Sequence, residues 1–215
     1  MTAGKQNIID VGCDHGYLSI YLALHGAARV TASDIRPGPL GSAKLNAQRY
    51  GVEDRVVFEL ADGLAFSGAD TADAVVAAGM GGETIISILK DAPWVKDDTL
   101  LVLQPQSKVE ELCEWLAENG FHLTDARLAR DSGRLYAVMC AEGGAAGEHS
   151  PYPEDLLLKR GDPLLPEWLS AHIARLAAAL DGMARSETPR AEEIKLRRSL
   201  ERFERTEREY KAWQR

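Results

Sequence analysis

Five short apolar runs alternate with segments of helical composition along the first 120 residues, and that rhythm limits the chain to very few folds. The spacing predicts strands over Asn7–Gly12, Arg29–Asp34, Val56–Leu60, Ala72–Ala78 and Leu100–Gln104. Helices are predicted over Gly16–Leu24, Pro37–Tyr50, Glu83–Leu89 and Val109–Asn119, opened or closed by proline and glycine. Such an order specifies a doubly wound, mostly parallel α/β sheet with helices on both faces. His122–Arg130 and Arg134–Glu142 follow with no helix between them and form a hairpin around Asp131-Ser132-Gly133. The expected total is seven strands.

Gly143-Gly144-Ala145-Ala146-Gly147 reads as a linker, placing one domain over 1–146 and a second over 147–215. Within the second, Pro166–Arg185 sets Leu169, Ile173, Leu176, Leu180 and Met183 at steps of three and four. Pro189 opens another helix with Leu196, Leu200, Phe203 and Tyr210 at similar spacing, interrupted by Glu207. A turn near Ser186–Thr188 would make the pair a C-terminal antiparallel helical hairpin, each helix covering the other's apolar stripe.

Charge bears on the partner. Net charge is −8, with −9 carried by residues 1–150 and +1 by residues 151–215. Nine basic residues face six acidic ones between Arg190 and Arg215, a local patch that a polyanion could use or a solvated Arg/Glu helix face. Cys13, Cys113 and Cys140 are far apart and odd in number, which suits reduced thiols and excludes a disulfide framework or zinc spacing. No apolar run is long enough to span a bilayer and nothing resembles a signal peptide, so a cytoplasmic protein without membrane or metal is expected.

The chemistry gathers where strands end. After the first strand the chain reads Asp10-Val-Gly12-Cys-Asp14-His15-Gly16-Tyr17. Glycines at this junction let a ligand approach the backbone at a helix N-terminus. The G-x-G-x-x-G fingerprint of nicotinamide cofactors is absent, and Asp14 would repel a pyrophosphate. Asp10 or Asp14 would suit an ammonium instead. Asp34, ending the second strand, can accept two ribose hydroxyls. Asp62, just past the third, is placed to receive an adenine amino group. Ile35, Gly63 and Gly79 adjoin these positions and complete the candidate cofactor set. Three acids at successive strand ends, with a closing hairpin, mark the seven-stranded methyltransferase version of the fold and S-adenosylmethionine as cofactor. Met80 lies among glycines after the fourth strand, where a transferred methyl should face its acceptor, and Gln104-Pro105-Gln106 ends the fifth. The Asn/Asp-Pro-Pro-Tyr sequence of many amino-methyltransferases does not occur. That favours an acceptor such as a ring nitrogen, whose in-plane lone pair needs alignment more than it needs a base.

Asp14-His15-Gly16-Tyr17-Leu18, Ala78-Gly79-Met80-Gly81-Gly82 and Leu103-Gln104-Pro105-Gln106 together resemble the bacterial tRNA (adenine-N1)-methyltransferases that modify position 22. The resemblance covers Asn7 to Glu142, and the helical tail is similar in kind to that family's coiled coil. It implies that Asp10, Gly12, Asp14, Gly16, Asp34 and Asp62 hold the cofactor. It also implies that His15, Tyr17, Met80 and Gln104 lie at or near the reacting centre, Tyr17 stacking on the flipped base. The tail would grip tRNA phosphates or form a weak dimer, leaving a monomer otherwise. Two features depart from the family. Only nine residues precede Asp10, where members usually carry a further helix, and Gln106 stands where asparagine is expected. The rival readings are a methyltransferase of small molecules or proteins, and a non-enzymatic binding module on the same scaffold.

Overall fold

The computed structural model describes residues 1–144, 151–183 and 190–214. Seven strands form one sheet: β1 (Asn7–Val11), β2 (Arg29–Asp34), β3 (Val56–Leu60), β4 (Ala74–Gly81), β5 (Leu100–Ser107), β6 (Phe121–Asp131) and β7 (Arg134–Gly143). Their order is β3-β2-β1-β4-β5-β7-β6. The first five are parallel, while β7 is antiparallel to both β5 and β6. The doubly wound seven-stranded sheet and its closing hairpin are therefore as the sequence predicts.

Helices α1 (Tyr17–Leu24) and α2 (Pro37–Arg49) cover one face, and α3 (Gly82–Lys90) and α4 (Val109–Glu118) the other. Period-two patterning cannot show in β1, β2 and β4, because strands covered on both faces are continuously apolar. Val30, Ala32, Ala74 and Val75 are accordingly fully buried. Chain order reverses direction between β1 and β4, so the loops after β1 and β4 diverge at the carboxyl edge and leave a crevice there.

Several element limits differ from expectation by a residue or two, and three of the differences have a clear packing reason. β4 does not stop at Ala78 but runs on to Gly81, pairing Met80 with Pro105 and Gly81 with Ser107. Gly79 takes φ 79°, bulges out of register and lets the pairing resume beyond it. β5 is longer than expected for the same reason, since it supplies the partner residues. Gly143 belongs to β7 rather than to the linker, and its Cα lies so close to Lys96 that a side chain would collide with the Lys96 carbonyl. Residues 145–147 of the expected linker, the turn at Ser186–Thr188 and the opening Pro189 lie outside the described residues.

Beyond the sheet come α5 (Pro153–Arg160), α6 (Leu165–Met183) and α7 (Arg190–Trp213). The short α5 is new relative to the sequence reading. Helices α6 and α7 pack together as a hairpin, but they cover more than each other. Leu157, Leu165, Trp168, Leu169, Leu176 and Phe203 share one apolar cluster with Ala126, Leu128 and Ala137 of β6 and β7. A buried ion-pair cluster fastens α7 to the main body. Arg202 binds Glu110 at 2.9 Å and Glu154 at 3.1 Å, and its guanidinium stacks 3.6 Å above Tyr152. Among the described residues no helix is long and apolar enough to cross a membrane.

Candidate active site

The loop between β1 and α1 is held rigidly from below. Gly12 and Cys13 both donate their amides to the Ser33 carbonyl, at 2.8 and 2.9 Å. The amide of Asn46, a buried α2 side chain, donates to the His15 carbonyl at 3.0 Å. Gly16 adopts φ 74°, and a Cβ there would stand 2.8 Å from that of Ala43. Glycine at 16 is thus required twice, by conformation and by the close approach of α1 to α2. Asp14 also has positive φ, which turns its side chain out to solvent beside His15 Nε2 at 3.7 Å.

Asp10 does not share that exposure. It is 3% accessible and accepts a 2.6 Å hydrogen bond from Ser19 Oγ. Burial pushes its carboxyl up to about 6, against the opposing pull of the Ser19 hydroxyl and amide. The two acids of the loop therefore differ in kind: Asp10 is a buried group anchoring the first turn of α1, whereas Asp14 presents charge at the mouth.

Asp34 is buried at the end of β2, where Oδ2 accepts the Asp14 amide at 3.2 Å and Oδ1 the Arg36 amide at 2.9 Å. Those bonds occupy two of roughly four lone-pair positions of a carboxylate and leave the rest for hydroxyl donors. Ile35 beside it is 62% exposed. Asp62 lies two residues beyond the end of β3, exposed, in a segment tied to β2 by the Ala61 amide to the Asp34 carbonyl at 3.1 Å. Gly63 follows with φ 59°, packed on Ile88, and its carbonyl accepts from Ser33 Oγ at 3.3 Å.

The β4 end meets this loop directly. A Cβ on Gly12 would stand 3.0 Å from the Met80 methyl, so Met80 closes over the Gly12 backbone. Gln104 Oε1 accepts the Gly79 amide at 2.9 Å, and Gln104 Nε2 donates to the Pro105 carbonyl at 3.2 Å. Gln106 Nε2 is the side-chain atom nearest the open side of Gly79. Gly82 is pressed on the Lys108 carbonyl, where no side chain would fit. Tyr17 is 61% exposed at the start of α1, its ring centroid 6.4 Å from that of His15.

The structure thus gathers Asp10, Gly12, Asp14, His15, Gly16, Tyr17, Asp34, Ile35, Asp62, Gly63, Gly79, Met80 and Gln104 along one sheet edge. Ser19 and Asn46, which hold the loop, escaped the sequence reading. Ser19 is the lone polar residue of the otherwise apolar α1, which is its only signal, whereas Asn46 stands among the polar residues of α2 and gives none. Cys13 lies in the loop but is buried, its thiol pushed up to about 12 chiefly by burial. Among the described residues no group of three His, Cys, Asp or Glu side chains is placed to hold a metal.

Residues 1–139 match the family described as a methyltransferase domain. The chain belongs to that family. The tRNA (adenine(22)-N(1))-methyltransferase of Bacillus subtilis is 36% identical over 139 residues, 63% of this chain and 58% of that protein. This chain therefore spans less than two thirds of that curated relative. A candidate tRNA methyltransferase of Mycoplasma pneumoniae is 32% identical over 151 residues, 69% of each chain. Among solved structures, a candidate tRNA (m1A22) methyltransferase from Streptococcus pneumoniae superposes with TM-score 0.79 at 26% identity, over 96% of this chain and 95% of that one. The same protein solved with S-adenosyl-L-methionine gives TM-score 0.77 over 94% and 93%.

Proposed function

We propose that the chain is an S-adenosylmethionine-dependent methyltransferase acting on N1 of an adenine in tRNA, the position-22 base being the expected target. The observation that carries this reading is the junction of Met80 with Gly12, which joins the candidate cofactor loop to the candidate acceptor wall. The residues suit the cofactor. Asp34 has acceptor capacity for a ribose, Ile35 and Asp62 offer an apolar surface and a carboxylate for an adenine, and exposed Asp14 offers charge to an ammonium. The Streptococcus pneumoniae relative that binds S-adenosyl-L-methionine shares the fold over nearly the whole chain.

Bound S-adenosylmethionine supplies a methyl group on a sulfonium. The protein's part is alignment. Adenine N1 already carries an in-plane lone pair, so no side chain need remove a proton before transfer. Gln104 fixes the Gly79 bulge by accepting the Gly79 amide hydrogen bond at Oε1, and Met80 holds the bulge against the loop after β1. Tyr17 and His15 stand exposed at the opposite lip, where a base turned out of the RNA could stack. Carboxylates at this edge also favour a product that becomes cationic on methylation.

The decisive experiment incubates the protein with labelled S-adenosylmethionine and unmodified tRNA, then identifies the methylated nucleoside and its position. Label in 1-methyladenosine is expected. Cofactor binding by calorimetry with no transfer to tRNA would move the assignment to a small-molecule or protein acceptor. Absence of cofactor binding would return the chain to a binding module.

A further inference from the structure

The C-terminal helix is the obvious place to seek an RNA contact, yet most of its basic side chains are already paired, Arg198 being an exposed exception. Arg197 pairs with Glu193 at 2.7 Å and Lys211 with Glu207 at 2.8 Å. Arg205 and Arg208 lie 4.0 Å from Glu209 and Glu204. Lys195 reaches Glu111 and Glu114 of α4, and Arg202 is taken up by Glu110 and Glu154. A helix so neutralised presents little net field to a polyanion.

The opposite holds on α1 and α2. From His15 to Val52 the only acid is Asp34, which is buried, in a chain with 33 acidic residues. Arg29, Lys44 and Arg49 lie in this stretch, exposed and in no ion pair among the described residues. Arg36 is the exception, 3.5 Å from Asp34. The same face exposes aromatic surface: Tyr17, Tyr21 at 55% and Tyr50 at 54%. Tyr21 stacks on His25 with centroids 3.9 Å apart, and His25 Nδ1 lies 2.8 Å from the Tyr21 carbonyl, which fixes the ring pair as a flat platform. The two helices abut at Gly16 and Ala43 beneath the active-site lip. On the α1 side Tyr21 and His25 border a hollow lined by residues 1–5, and on the α2 side Lys44 Nζ lies 5.8 Å over the Phe58 ring. The thirteen residues of α2 extend this face by about 20 Å.

We infer that the α1–α2 face is an RNA-docking surface, with Lys44 and Arg49 on phosphates and the Tyr21–His25 pair under an unpaired base. Basic side chains position the backbone, and an aromatic platform holds a base without reading sequence. The inference rests on an RNA substrate and adds where that RNA lies.

The test measures binding of an unmodified tRNA transcript over a salt series, with S-adenosylmethionine affinity measured alongside. Lys44→Gln with Arg49→Gln is expected to weaken tRNA binding about tenfold near 0.1 M salt and to flatten the log–log salt slope by roughly 1.5 to 2. Tyr21→Ala is expected to weaken it about tenfold with little change in slope, because stacking carries no counterion release. Arg197→Gln on α7, which removes a side chain already paired with Glu193, should change it by less than about twofold, and cofactor affinity should stay level throughout. Wild-type affinity and slope in the double variant would overturn the inference while leaving the substrate reading intact. A wild-type protein that binds cofactor but no tRNA would overturn both. If Tyr21→Ala instead turned a dimer into a monomer with tRNA affinity unchanged, the face would belong to a second copy of the chain and the inference would fall.

Discussion

Asp10 offers a quantitative test of how the site is held. Burial penalises the charge and pushes its carboxyl up to about 6 from the ordinary 3.8 of a solvated aspartate. The folded state therefore keeps a proton to higher pH than the unfolded state does. Stability falls as pH rises from about 4 to about 6, and the full cost stands above that window. Two pKa units correspond to about 3 kcal/mol at neutral pH. Asp10→Asn removes the ionisation while keeping the shape. Its amide group gains no obvious acceptor, which takes back on the order of 1 kcal/mol and leaves the variant about 2 kcal/mol more stable at pH 7.5. Urea denaturation of both proteins from pH 4.5 to 8 measures this as a difference, in which every other titrating group cancels. The gap should open between pH 4.5 and 6.5 and then stay level. A gap that does not change with pH would refute the reasoning, since it would mean that Asp10 is ionised throughout or neutral throughout. The same variant should bind S-adenosylmethionine more weakly, because a carboxylate anchoring the loop beneath an ammonium has been neutralised.

Other perturbations follow from the packing. Gly82→Ala should cost about 2 kcal/mol and most of the methyl transfer, because a side chain there displaces the Lys108 backbone and with it the Met80–Gly81 segment; wild-type turnover would refute the close approach. Arg202→Ala should lower stability by about 3 kcal/mol, measured by urea midpoint, since it strands the buried Glu154 carboxylate, whose remaining oxygen has no hydrogen-bond partner. Thiol labelling at pH 8 should be negligible in the native protein and reach three per chain in denaturant: burial pushes Cys13 up to about 12, Cys140 up to about 11 and Cys113 upward too. Rapid labelling of any one thiol would show that its surroundings open.

What could be read from the chain beforehand divides along physical lines. Strands β1 to β3 are legible because each apolar run ends at, or within two residues of, a glycine or acid that also marks the carboxyl edge. The fourth strand was cut short because glycine ordinarily punctuates structure; whether pairing survives a glycine depends on the partner strand, and Gln104–Ser107 supply it. Helix α5 went unread although its signals are present, with proline at the start, Glu154 and Asp155 in the first turn and left-handed Gly161 at the end. Two turns of helix carry too little periodicity to stand out. On α7 the local pairs such as Glu193 with Arg197 follow from four-residue spacing. The reach of Arg202 to Glu110, ninety-two residues earlier, follows only from the fold. For the same reason Ser19 and Asn46 were invisible as supports: their meaning lies in what folds against them.

The position of β7 between β5 and β6 has a consequence for synthesis on the ribosome. The outermost strand, β6, emerges before the strand that joins it to the sheet. The apolar side of that pair, at Ala126, Leu128 and Ala137, is roofed by residues that emerge later still, from Leu157 to Phe203. A nascent chain thus completes its catalytic edge while its far edge is still bare. A polypeptide ended early within the last sixty residues would keep the methyltransferase loops and expose a sticky flank. Exposed apolar surface of that kind is what proteases and chaperones read, so the helices from Leu157 to Phe203 guard the far edge of the sheet as well as packing on it.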